Sequence, residues 1–71
     1  MTSYTLADLK EVDWHIARGE QHILRQDEIV ASLRAHSAEV VEAERLLGLF
    51  HELQQEHYAH RDVIAAALAR G

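Results

Sequence analysis

Residues 5–30 read TLADLKEVDWHIARGEQHILRQDEIV, and this stretch decides the fold. Apolar side chains recur in it every seven residues, at Leu9, Ile16, Ile23 and Val30. A seven-residue repeat with further apolar positions in between is typical of an amphipathic helix that packs along one stripe. The stretch contains no proline, and Gly19 costs a helix only about 1 kcal/mol relative to alanine. We therefore predict one long helix here.

Capping signals predict where this helix begins and where a second helix follows. Thr5 has Asp8 three residues later, which resembles the reciprocal arrangement of a capping box. Ser37 is followed by several acidic residues, as expected for the first turns of another helix. Arg34 supplies positive charge where the first helix would end. The signals together predict that the chain reverses direction close to Ser37.

The predicted fold is all-α: an antiparallel two-helix hairpin over residues 5–35 and 38–69, within a single domain spanning residues 1–71. One unbroken helix through residues 36–38 is the alternative, because neither proline nor glycine forces a turn there. The apolar repeat continues in the second half of the chain, through Leu46, Leu53 and other large side chains.

A hairpin one layer deep leaves the flanks of its apolar stripes in water. Ala17, Leu24 and Ala31 form such a flanking row on the first helix. Two hairpins that pair into a four-helix bundle would cover these rows, and twofold symmetry is the commonest way to do so. We therefore predict a homodimer. The residues predicted to form its interfaces are Leu9, Ile16, Ile23, Leu24, Val30, Leu46, Phe50, Leu53 and Ile64.

Composition and charge exclude several classes of protein. The chain has 71 residues, no cysteine and no proline, which excludes disulfide-bonded and thiolate–metal scaffolds. Its net charge is −5, without a basic stripe, so we expect no nucleic-acid partner. We also expect no membrane partner, because no apolar run approaches the length of about 20 residues that a bilayer requires. The expected location is the cytoplasm.

Six histidines are the most unusual feature of the sequence. In an antiparallel hairpin, His15 is expected near the level of His60, and His22 near the level of His51. His57 and His60, three residues apart, could face one ion together with His15, which makes these three the candidate metal ligands. Two other interpretations stay open: half-buried polar residues at interface edges, or a pH-responsive interface. We predict no cofactor.

Polar residues interrupt the middle of the apolar stripes, at Gly19, Gln26, Gln54, His57 and Arg61. One interpretation is a buried polar layer that fixes register and partner choice. The other is that these residues lie at the solvent margin of a narrow bundle. Gly19 would in addition permit the close approach of a bulky side chain, for which Tyr58 is the candidate.

Trp14 lies off the main stripe, and Tyr58 is expected near its level on the second helix. The two rings are a candidate patch for binding another protein. The alternatives for Trp14 are packing in the dimer seam or against Arg18. Catalysis has little support, because the chain lacks a cysteine nucleophile, a Gly-x-Ser-x-Gly sequence and a glycine-rich phosphate loop. We predict that the protein is not an enzyme.

Three segments carry a resemblance to known proteins: residues 15–30 from His15-Ile16-Ala17-Arg18-Gly19, residues 43–50 from Ala43-Glu44-Arg45, and His57-Tyr58-Ala59-His60-Arg61-Asp62. Together they resemble short, uncharacterised bacterial proteins of two helices. This resemblance implies a helical hairpin and no particular activity. The arrangement is also similar to the Rop-type dimer of helical hairpins, by fold analogy only, and RNA binding does not carry over because the basic face is missing.

The function expected from the sequence is that of a small, non-enzymatic helical interaction or regulatory module that acts as a homodimer. The alternative is a histidine-rich bundle that binds metal or responds to pH. The expected partner is a second copy of the chain, with another protein as a further possibility.

Overall fold

The structure, a computed structural model, describes residues 3–36 and 39–71 as an antiparallel pair of helices. Helix α1 spans Leu6–Ala35 and helix α2 spans Val41–Arg70. Contacts between the two helices join the start of α1 to the end of α2, as in the pair Asp13–Arg61. The prediction of an all-α helical hairpin is therefore confirmed.

The start of α1 follows the predicted capping box. The Thr5 backbone N–H donates to Asp8 Oδ2 at 2.8 Å, and the Asp8 backbone N–H donates to Thr5 Oγ1 at 3.3 Å. These two bonds satisfy amides that a helix N-terminus leaves without partners inside the helix. At the other end, the backbone N–H of His36 donates to the Ser32 carbonyl.

The second helix begins at Val41, three residues later than the start at residue 38 that the sequence predicts. Its N-cap is Val40, and no side chain caps it. Ser37, the predicted cap, lies outside the described residues. Packed helix axes lie about 8–10 Å apart. A connection of only two or three residues is short for this distance, so the chain uses positions after residue 38 to pass from one helix to the other. Starting at Val41 still places Glu42 and Glu44 in the first turn, where carboxylates are favoured.

The core is a single seam between the two helices. Its buried apolar residues are Val12, Ile16, Val30 and Ile64. Along α1 the buried and half-buried positions alternate by three and four residues, which is the spacing of one helical face. The seam is narrow because each helix has only one neighbour to pack against.

The hairpin is a thin rod rather than a compact body. Its principal extents are 54 × 16 × 13 Å, and its radius of gyration is 16.2 Å. A compact domain of this length has a radius of gyration of about 11 Å. The rod therefore exposes both long faces of the helix pair, and these faces carry different residues.

Candidate functional site

The first long face, which we call the histidine face, carries His15, His22, His57 and His60 beside the seam. A groove of about 390 Å³ runs along its centre and is lined by Trp14, Phe50 and Leu53 together with three of the histidines. A second groove of about 350 Å³ continues it towards the N-terminus of α1, past Tyr4, Glu11 and His60. His15 and His57 line both grooves and so connect them.

Aromatic rings cross the seam along the histidine face. The rings of His15 and His57 are stacked, with centroids 5.8 Å apart and planes 26° apart. His22 lies against Phe50 at 5.7 Å, and Tyr4 meets His60 edge-on at 6.1 Å. These contacts lie at the distances where aromatic pairs attract each other.

The histidines expected near the same level lie close along the rod, but they are not the rings that meet across the seam. His15 stacks on His57 rather than His60, and His22 meets Phe50 rather than His51. Successive helix residues point about 100° apart, so His51 lies round the helix from Phe50. It lines a groove on the opposite face.

Gln54 fixes the orientation of His57. The side-chain amide of Gln54 donates from Nε2 to the Ile16 carbonyl at 2.8 Å, across the seam. The carbonyl oxygen of the same amide lies 3.0 Å from His57 Nδ1. Because an amide oxygen only accepts hydrogen bonds, Nδ1 carries a proton, and in the neutral ring Nε2 then bears the lone pair. Sequence reasoning missed this link, although Gln54 and His57 are one helical turn apart.

Two of the five residues that interrupt the stripes, Gln26 and Gln54, lie inside the seam, whereas His57 and Arg61 lie at its margins. Gln26 and Gln54 are 6% and 5% exposed, and Gln26 Nε2 donates to the Ala43 carbonyl at 3.0 Å. Buried amides cost free energy unless they are hydrogen-bonded, and both of these donate across to the other helix. Gly19 makes room for one of them, because a β-carbon there would lie 2.7 Å from Gln54 Cδ. The close neighbour of Gly19 is thus Gln54 and not Tyr58.

The three candidate metal ligands lie in one groove, but they do not form a closed set. His15, His57 and His60 all line the groove near Tyr4. Glu11 Oε1 is 3.9 Å from His15 Nε2. Within residues 3–36 and 39–71, however, no three histidine or carboxylate side chains are grouped closely enough to hold one ion.

The two rings of the candidate aromatic patch do not meet. Trp14 is 59% exposed on the histidine face, where the Arg18 guanidinium lies 5.6 Å from the centre of its ring. The Tyr58 hydroxyl donates to Glu20 Oε1 at 3.0 Å on the other side of the seam. Trp14 therefore contacts Arg18, as one of its alternatives anticipated, and Tyr58 belongs to a separate surface.

That separate surface, which we call the ionic face, joins the helices through charged side chains. Arg61 Nε donates to Asp13 Oδ1 at 2.6 Å, and Arg34 Nη2 donates to Glu44 Oε1 at 2.8 Å. The Tyr58–Glu20 bond lies between these two pairs. All of these groups are partly exposed, so each contact stabilises the hairpin modestly.

The nine predicted interface residues divide according to exposure. Ile16, Val30 and Ile64 are buried within the hairpin itself and cannot also meet a second copy. The half-buried residues are Leu9, Ile23 and Phe50, and the exposed residues are Leu24, Leu46 and Leu53. The sequence repeat identified apolar positions correctly, but it did not separate those covered inside the chain from those left on its surface.

Comparisons with known proteins return nothing: no family model matches the chain, and no curated protein or solved structure is similar to it. The helical hairpin implied by the resemblance to short two-helix proteins is present, whereas membership of a bacterial group stays a prediction. In the part of the chain that the structure describes, neither helix is long and apolar enough to cross a bilayer.

Proposed function

We propose that the protein is a small, non-enzymatic interaction or regulatory module that acts as a homodimer, in which two hairpins form a four-helix bundle. The observation that carries the proposal is the excess surface of the single hairpin. Its accessible surface is 5491 Å², whereas a compact monomer of 8.1 kDa exposes about 4,500 Å².

The size of this excess fits a protein–protein interface. The difference of about 1,000 Å² is close to the roughly 800 Å² that each partner buries in a stable complex. Large apolar side chains supply part of it, including Trp14, Leu46 and Leu53, which are 59%, 41% and 50% exposed. A second copy of the chain would remove such side chains from water, which is favourable by about 25 cal/mol per Å² before the costs of association.

The proposal includes no catalysis, no nucleic-acid partner and no membrane partner, and it places the protein in the cytoplasm. A groove on a hairpin one layer deep stays open to solvent along its length, whereas catalysis generally requires water to be excluded. The net charge of −5 repels phosphate backbones. Another protein could take the place of the second copy, provided that it offers a complementary apolar surface.

The proposal is tested by the mass of the protein in solution. Sedimentation equilibrium or light scattering at micromolar concentration and neutral pH should give twice the 8.1 kDa mass of the chain. Circular dichroism on the same sample should show the helix content of two 30-residue helices. A fully helical protein with the mass of one chain would overturn the proposal.

A second candidate function is a metal-binding bundle, and the Gln54–His57 contact favours it. Metal-binding histidines commonly donate their other ring nitrogen to an acceptor that fixes the ring, and His57 Nδ1 has such an acceptor. Because each chain brings too few grouped ligands, the remaining ones would come from the second copy. Titration with Zn²⁺ or Ni²⁺ tests this: a stoichiometric rise in melting temperature that disappears in His57→Ala supports it, and an unchanged melting temperature rejects it.

A further inference from the structure

We propose that the second copy docks on the histidine face, over the groove between Trp14 and Leu53. This inference rests on the proposed homodimer and adds to it the docking face. Two observations carry it: the distribution of exposed apolar side chains and the distribution of fixed charges.

Exposed apolar side chains line and continue the central groove of the histidine face. Leu53 lines this groove, and Leu46, seven residues earlier, lies on the same side of α2. On α1, Ile29 follows His22 by seven residues and continues that row. Together with Trp14 these side chains are between 37% and 59% exposed. The exposed apolar side chains of the ionic face are more dispersed: Leu24, Tyr58 with its hydroxyl bonded to Glu20, and Leu6 at the first residue of α1.

Fixed charge favours the same face. Two copies of a chain with a net charge of −5 approach most easily through a surface that has few carboxylates. The central groove of the histidine face is lined by one arginine, Arg18, and by no carboxylate, and the second groove adds two carboxylates, Asp8 and Glu11. The ionic face carries Asp13, Glu20, Asp27 and Glu44 but only two arginines, Arg34 and Arg61. Docking two ionic faces would therefore bring surplus negative charges together.

The docking face is tested with one substitution made on each face. Leu53→Asp places a carboxylate in the central groove, and Leu24→Asp places the same group on the ionic face as a matched control. Both leucines are at least half exposed, so each hairpin should remain helical by circular dichroism. At pH 7.5, Leu53→Asp should weaken dimerisation by at least tenfold, whereas Leu24→Asp should leave the dimer mass unchanged.

The outcomes separate this inference from the proposed function. Loss of the dimer in Leu24→Asp but not in Leu53→Asp would overturn the docking face while the homodimer stands. Dimerisation that neither substitution weakens would likewise overturn the docking face. A wild-type protein that is already monomeric at pH 7.5 would overturn the proposed function itself.

Discussion

The two long faces of the hairpin are formed by the same pair of helices, but different kinds of side chain make the contacts between the helices on each face. On the ionic face, charged side chains of one helix meet opposite charges or hydroxyls of the other, as in Asp13–Arg61 and Glu20–Tyr58. On the histidine face, the contacts across the seam are between rings, and Trp14 and Leu53 stay largely in water. The charged groups of the ionic face find partners within one chain, whereas the histidine face still exposes apolar surface that another molecule can cover.

The largest expected effect lies beneath the histidine face, at Ile64. This side chain is 1% exposed and lines the groove that also contains Tyr4 and His60. Ile64→Ala should lower the free energy of unfolding by about 2–5 kcal/mol, because it leaves a cavity in a narrow seam. Urea denaturation at a fixed protein concentration measures this. Val63→Ala, at a neighbouring position that is 54% exposed, is the control and should change stability by less than about 0.5 kcal/mol.

Similar losses of stability in the two variants would mean that Ile64 contributes no more to the core than an exposed side chain does. The groove near Tyr4 on the histidine face would then not rest on a buried core.

An intermediate effect is expected at Gln54, which ties the histidine face to the backbone of α1. Gln54→Ala removes the bond to the Ile16 carbonyl and the acceptor of His57 Nδ1. We expect a loss of about 1–3 kcal/mol, typical for breaking hydrogen bonds of a buried polar group. Gln55→Ala, at the adjacent exposed position, is the matched control. Thermal denaturation followed by circular dichroism compares the two, and equal melting temperatures would contradict the structural role of the Gln54 amide.

The smallest effect is expected on the ionic face, at the pair Asp13–Arg61. The two side chains are 48% and 40% exposed, so water and salt screen their attraction. A double-mutant cycle with Asp13→Asn and Arg61→Gln should give a coupling energy below about 1 kcal/mol. The coupling should fall further in 1 M NaCl, where the Debye length is about 3 Å. A coupling that persists in high salt would show that the ionic face is as desolvated as the seam, and the contrast between the two faces would disappear.

The sequence predicted the hairpin because long-range pattern and local capping agree in α1. The repeat from Leu9 to Val30 defines one helical face, and Thr5 with Asp8 marks where the helix starts. Both signals lie within α1 itself, so they can be recognised without knowing which residues of α2 lie opposite. In α2 the serine chosen as the cap misplaced the start, since Val40 has no capping side chain that a sequence would reveal.

The candidate site was harder to predict because it depends on register between the helices. A shift of one residue turns a side chain by about 100°, which is why His22 meets Phe50 while His51 lies on the other face. The polar layer was visible in the sequence, but its burial was not, because that depends on whether Gln26 and Gln54 reach a backbone carbonyl across the seam.

The unequal capping of the two helices has a consequence for how the hairpin opens. The first amides of α1 are held by Thr5 and Asp8, whereas the first turn of α2 relies on backbone bonds such as that from Glu44 to Val40. Local opening starts where backbone groups are least protected. In deuterated water, therefore, the amides at the start of α2 should exchange before those at the start of α1. The rod would fray from the end near the chain reversal, while the end that holds both termini stays closed longest.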